Sequence, residues 1–167
     1  MARPANTPAV LVVRSRGPVT GFFVHPVIDT RGIYDEDPML LQTTGTAPIQ
    51  FVLPAKYTHV KIQRGSSEGN GFARWHLDRV AIDDLRPLRG RVAGTGGEVL
   101  TWRGEERSIR FDFPAYKHGH RNLEFFSFEN GERISIDREG STRGTAVIPG
   151  PGFIRIQAVQ GWKIEAN

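Results

Sequence analysis

Along the chain, apolar and polar side chains follow two rhythms. In the first, apolar residues fall at every second position: Val60 and Ile62 against Lys61 and Gln63, and Ile154 and Ile156 against Arg155 and Gln157. A period of two places each set on its own face of a β-strand, so both segments predict an apolar core face and a wetted polar face. In the second, apolar blocks such as AVLVV (9–13) and EFFSF (124–128) are bounded by Gly, Pro, Asn and Asp. Blocks of this kind, separated by turn residues at spacings of about 8 to 12, predict an all-β chain. The predicted strands cover 10–14, 19–27, 39–44, 49–53, 57–63, 72–82, 98–102, 108–113, 122–128, 133–136, 145–148, 153–159 and 162–165. The one helix-like stretch, DDLRPLRG at 83–90, is interrupted by Pro87 and closed by Gly90, which argues against a helix of any length.

Two stretches repeat the same features in the same order. GFFV (21–24), GTAPIQFVLP (45–54), YTHVKIQ (57–63) and ARWHLDRV (73–80) are matched by EFFSF (124–128), GTAVIPGP (144–151), GFIRIQAV (152–159) and GWKIEA (161–166). The offset shrinks from 103 at Phe22/Phe125 to 87 at Trp75/Trp162, which loop deletions would produce. The expected architecture is an all-β sandwich of jelly-roll or immunoglobulin-like antiparallel sheets, built from two repeated β units. Residues 1–17 would form an N-terminal arm or edge strand, 18–84 the first unit and 85–167 the second. Neighbouring Phe22 and Phe23, like Phe125 and Phe126, must point to opposite faces of their strands. Such strands are apolar on both faces and need cover on both, from another layer, another unit or a partner. Trp75 and Trp162, each with an apolar residue two places on, are expected to face the core of their units.

Over residues 70–166 the order of Trp75, the glycine-rich segment 94–99, Phe125, the turn 140–145 and the strand pair 154–164 resembles an uncharacterised β-sandwich module of actinobacterial lipoproteins and secreted proteins. What the resemblance implies is a β-sandwich, here in tandem. The export signals or lipobox cysteines of such relatives have no counterpart in this sequence.

Composition narrows the chemistry. A chain of 167 residues is long enough for one domain, or two small ones, with a real core, so stability requires no cofactor. The absence of Cys excludes disulfides, thiolate metal sites and cysteine nucleophiles. The net charge of +4 comes from 22 Lys and Arg interspersed with 18 Asp and Glu, a mixed surface without the basic stripe of a nucleic-acid binder. No run of apolar residues is long enough to span a membrane, and the N-terminus lacks the basic leader and long apolar region of a signal peptide, so the expected location is cytoplasmic or within a particle.

Candidate sites are few. Tyr116, His118, His120 and Arg121 share one loop; His-x-His on extended chain points both rings the same way, yet no third metal ligand stands at a recognisable spacing. Asp29, Asp35, Glu36 and Asp37 lie in DTRGIYDEDP without calcium-loop spacing and predict a surface turn. The GTGGE and PGPG clusters lack the lysine and following helix of a phosphate loop, and Ser66 and Ser67 lack a nucleophile elbow. Trp102, with Tyr116, is an aromatic that could stack on a sugar or fill a partner's pocket. Val10, Leu11, Val12 and Val13 form a strand that is either central in a sheet or paired with another chain. The first expectation is therefore a non-catalytic interaction or structural protein, a subunit or adaptor of a larger assembly such as a surface layer, virion or injection particle. Its partner would be another protein or a second copy. The alternative is a carbohydrate-binding module with a glycan ligand; a metal-dependent enzyme using His118 and His120 comes third.

Overall fold

A computed structural model describes residues 8–16, 21–30, 33–36, 41–44, 48–64, 74–114, 122–129, 131–136, 142–158 and 160–166. β1 (Ala9–Arg16), β5 (Ile49–Leu53) and β7 (Arg74–Val80) make an antiparallel sheet, sheet I, in the order β5-β1-β7. Sheet II is centred on β2 (Gly21–Thr30). Val27 pairs with both Glu36 and His59, and Val24 with both Leu41 and Ile62. So β3 (Ile33–Glu36) and β4 (Leu41–Thr44) lie end to end along one edge of β2, and β6 (His59–Arg64) lies along the other. A 3-10 turn at Ile82–Asp84 follows, and among the described residues there is no α-helix.

The later strands are β8 (Arg91–Thr95), β9 (Glu98–Trp102), β10 (Arg107–Asp112), β11 (Asn122–Ser127), β12 (Arg133–Ser135), β13 (Arg143–Ile148), β14 (Gly152–Gln157) and β15 (Gly161–Ala166). They form sheet III, β12-β11-β14-β9, and sheet IV, β13-β10-β15-β8. The ladders of sheets I and II use only β1 to β7, and those of III and IV only β8 to β15.

The repeated order of sequence features has a topological counterpart. In the first unit β1 pairs with β5 and β7, and β2 with β6 and β4. In the second, β10 pairs with β13 and β15, and β11 with β14 and β12. Substituting β10 for β1, β11 for β2, β13 for β5, β14 for β6 and β15 for β7 carries one set of ladders into the other. The second unit has eight strands to the first unit's seven: β8, beside the outer edge of β15, and β9, beside the outer edge of β14, have no counterpart in the first unit, and β3 has none in the second.

Each unit encloses a core between its two sheets. Val13, Phe51 and Leu53 of sheet I meet Val24 of sheet II, with Val60, Ile62 and Leu77 packed against them. Leu100, Leu123, Phe125, Ile154 and Ile156 of sheet III meet Ile109, Phe111, Ile148, Trp162 and Ile164 of sheet IV. A third cluster joins the units: Val10 and Val52 on the back of sheet I pack with Val99, Phe126 and Phe153 on the back of sheet III. Gln50 adds a polar tie across this seam, its side-chain oxygen accepting the Val99 amide at 3.0 Å. The layers therefore stack in the order II, I, III, IV. Phe125 faces the core of its unit and its neighbour Phe126 the seam, which is the two-sided cover that adjacent phenylalanines require. Fully burying such side chains contributes about 1.5–3 kcal/mol each.

Four expectations change. The segment expected as an arm or edge strand is the centre of sheet I, because β1 carries ladders on both sides, to β5 and to β7. Val10, Val12 and Val13 are buried and Leu11 half-buried inside their own chain, leaving no edge there for a neighbour. Secondly, part of the acidic stretch expected as a turn is strand β3, hairpinned onto the end of β2. Thirdly, RVAGT, which falls between the predicted strands 72–82 and 98–102, is strand β8; its single large apolar residue, Val92, leans on the core while its neighbours face solvent, a weak pattern suited to an edge strand. Finally, the polar face of β14 is not wet: Arg155 is 4% exposed, because that face forms part of the seam side of sheet III.

Candidate functional site

Equivalent tryptophans mark where the units diverge. Trp162 on β15 stands directly opposite Gly94 of β8, and a Cβ at Gly94 would overlap the indole. Glycine thus lets the ring lie across the neighbouring strand. The indole nitrogen donates to the Gly96 carbonyl at 3.2 Å, and the Arg86 guanidinium stacks 5.3 Å from the ring centroid. Arg86 is itself held by Glu98 at 2.9 Å and by the Ala93 carbonyl at 3.1 Å. Burial raises the Glu98 carboxyl above its ordinary pKa, while the charge and hydrogen bond of Arg86 act the other way. With strand, glycine and cation in place, Trp162 is 2% exposed.

Trp75 on β7 has no such cover. Among the described residues, no strand pairs with the outer edge of β7 or of β6, and Trp75 is 50% exposed, which corrects its expected place in the core. Its strand partner Leu77 does face the first core, half-buried. The rest of β7 carries Arg74, His76, Asp78 and Arg79. His76 Nε2 lies 2.8 Å from Asp78, which also pairs with Arg14 of β1. The outcome is a strand edge bearing an exposed indole and both signs of charge.

Trp102, a residue singled out for stacking, occupies the last position of β9. It lines a cleft of about 360 Å³ with Asp83, Pro87, Arg89 and Arg103. Its indole nitrogen is committed to the Glu105 carbonyl at 2.9 Å, which fixes the ring, and Arg103 closes one side by pairing with Asp83 at 2.5 Å. Trp102 is half-buried against the second core.

Tyr116, His118, His120 and Arg121, proposed as a ligand-binding loop, lie outside the described residues, as do Asp37, Ser66 and Ser67. Among the described residues no group of three or more His, Asp and Glu side chains is placed to hold a metal ion.

One cluster went unnoticed in the sequence. Glu124 of β11 is 0% exposed and pairs with Arg155 of β14 at 2.5 Å and with Arg133 of β12, while Asn122 donates to it at 2.9 Å. Burial lowers the pKa of Arg155; Glu124 opposes that shift and Arg133 adds to it. The Arg155 guanidinium also approaches the Phe126 ring at 5.9 Å. Phe153 sharing a face with Arg155 was the available signal, since an aromatic on the supposedly wet face implies cover. The group has two cations, one carboxylate and no adjoining cavity, so its chemistry is that of a structural ion cluster beside the seam. No protein-family model matches the chain, and no curated protein matches it.

Proposed function

We propose that this chain is a non-catalytic β-sandwich protein that acts as a subunit or adaptor of a larger assembly, binding another protein or a second copy of itself. The observation that carries the reading is the difference between the unit edges: β8 and β9 cover β15 and β14, whereas their counterparts β7 and β6 have no strand beside them among the described residues. A strand edge without a neighbouring strand among the described residues, carrying a half-exposed tryptophan, is a template for pairing with another chain. Sedimentation of the purified chain, alone and after incubation with an extract of its native host, tests the reading. Species heavier than one chain in either condition support it, and a chain that sediments as a monomer in both removes it.

A second reading has one observation in its favour. The Trp102 cleft, with an aromatic face fixed by a hydrogen bond and flanked by Arg103 and Arg89, matches the way sugar rings are held by stacking and polar side chains. Glycan-array binding that is lost in Trp102→Ala but kept in Trp75→Ala would select this reading over the first.

A further inference from the structure

We infer that the outer edge of β7 pairs antiparallel with β7 of a second copy, centred on Leu77. The inference rests on the assembly reading above and names its partner.

The sequence of β7, RWHLDRV, is self-complementary when reversed about its middle residue. With Leu77 opposite Leu77, Trp75 of one copy faces Arg79 of the other, His76 faces Asp78, and Arg74 faces Val80. Directly opposite residues of an antiparallel pair share a face, so each exposed indole receives a guanidinium from the neighbouring copy. Trp162 is already satisfied this way within its own unit, where Arg86 stacks 5.3 Å from the ring. On the other face, the exposed His76 and Asp78 of one copy meet Asp78 and His76 of the other, extending the contact that each chain makes internally at 2.8 Å. Slipping the register by one residue would set Arg74 opposite Arg79, and slipping it by two would set His76 opposite itself. The charge pattern therefore selects the Leu77-centred register, and a single two-fold axis generates the whole contact.

The other edges do not carry the same argument. β5 and its counterpart β13, like β4 and its counterpart β12, end their sheets in both units, so exposure there is a property of the repeated architecture. β6, the second edge opened by the missing strands, reads HVKIQR, with cations and no carboxylate to answer them. Of the two edges that are covered in the second unit and, among the described residues, uncovered in the first, only β7 combines an aromatic residue with charges of both signs. Pairing would produce one continuous sheet, β5-β1-β7-β7-β1-β5, across two chains.

Because the chain has no cysteine, cross-linking reads the register directly. In the inferred dimer, Leu77→Cys places two thiols directly opposite one another, at a Cα separation of about 4.5–5.5 Å that a disulfide can bridge. Arg79→Cys places them roughly 13 Å apart along the strands, beyond reach. The expected result is a covalent dimer on mild oxidation of Leu77→Cys and none from Arg79→Cys. In parallel, Arg79→Glu should weaken self-association of the otherwise native chain about tenfold or more, as loss of a central Trp–Arg contact does. W75K combined with R79E should restore it by setting Lys opposite Glu. The thermal unfolding profile of each variant checks that it is folded. An oligomer that retains its mass in Arg79→Glu and cross-links equally at both positions would overturn the β7 pairing while leaving the assembly reading in place. So would a chain that is monomeric alone but enters a heavier complex in host extract. A monomer under both conditions overturns the pairing and the assembly reading together.

Discussion

Trp75 and Trp162 occupy corresponding strands of two units with the same ladder pattern, yet one is 50% exposed and the other 2%. The difference lies in their surroundings. Each is followed two places on by an aliphatic residue, and each lies beside a central strand, β1 or β10. What buries Trp162 is a further strand, β8, with glycine at the crossing point and Arg86 over the ring. A strand's own pattern sets which face a side chain takes; whether that face is covered depends on what stands next to it in the sheet.

The contrast breaks most directly at the tryptophans themselves. Trp162→Ala should cost about 3–5 kcal/mol of unfolding free energy, and Trp75→Ala less than about 1 kcal/mol, measured by denaturant titration at low protein concentration. Equal losses would mean that the two environments are alike. A comparable gap is expected between the central pairs of sheets III and II, where Arg155 stands opposite Glu124 and Lys61 opposite His25. Glu124→Gln strands a buried guanidinium and should cost about 3–5 kcal/mol, whereas the exposed Lys61 tolerates Gln within about 0.5 kcal/mol.

A smaller effect sharpens the role of β8. Gly94→Ala pushes a methyl group into the Trp162 indole and should cost about 1–3 kcal/mol, with a shift of tryptophan fluorescence. Smallest of all is a pH dependence at Glu98. Its folded pKa is raised above 4.5, so the folded state holds the proton more tightly than the unfolded state does. Its contribution to stability is therefore fully present below 4.5 and is lost as pH rises through the folded value. Glu98→Gln should flatten that part of the stability profile, read as a smaller difference in unfolding midpoint between acidic and neutral buffer.

Much of the fold was legible because β-strands announce themselves through alternation and bounding turns. The repeat was legible too, since GTA turns, Phe pairs and terminal Trp strands kept their order through a drifting offset. Weak strands escaped. β8 has one large apolar residue and a glycine, so its pattern resembles a linker. β1 was recognised as a strand, but nothing local separates a central apolar strand from one awaiting a partner; ladders to residues far along the chain decide that. The buried Glu124–Arg155 pair was hidden for the same reason, since charged residues flanked by apolar ones look like a solvated face until the seam of Phe126 and Phe153 is known. The β7 edge was missed because openness belongs to the sheet and is not encoded in the strand.

The layered seam also sets a timetable for synthesis. Every strand of sheets I and II is contained in residues 9–80, so the first unit has its own core before the second is translated. The back of sheet I, with Val10, Val52 and Val80, is covered only when β9, β11 and β14 arrive, and β14 ends at Gln157. At ribosomal speeds of about 5–20 residues per second, the nascent chain carries that apolar face uncovered for roughly 4 to 15 s. During that interval the uncovered apolar face of sheet I is a surface on which the nascent chain can aggregate.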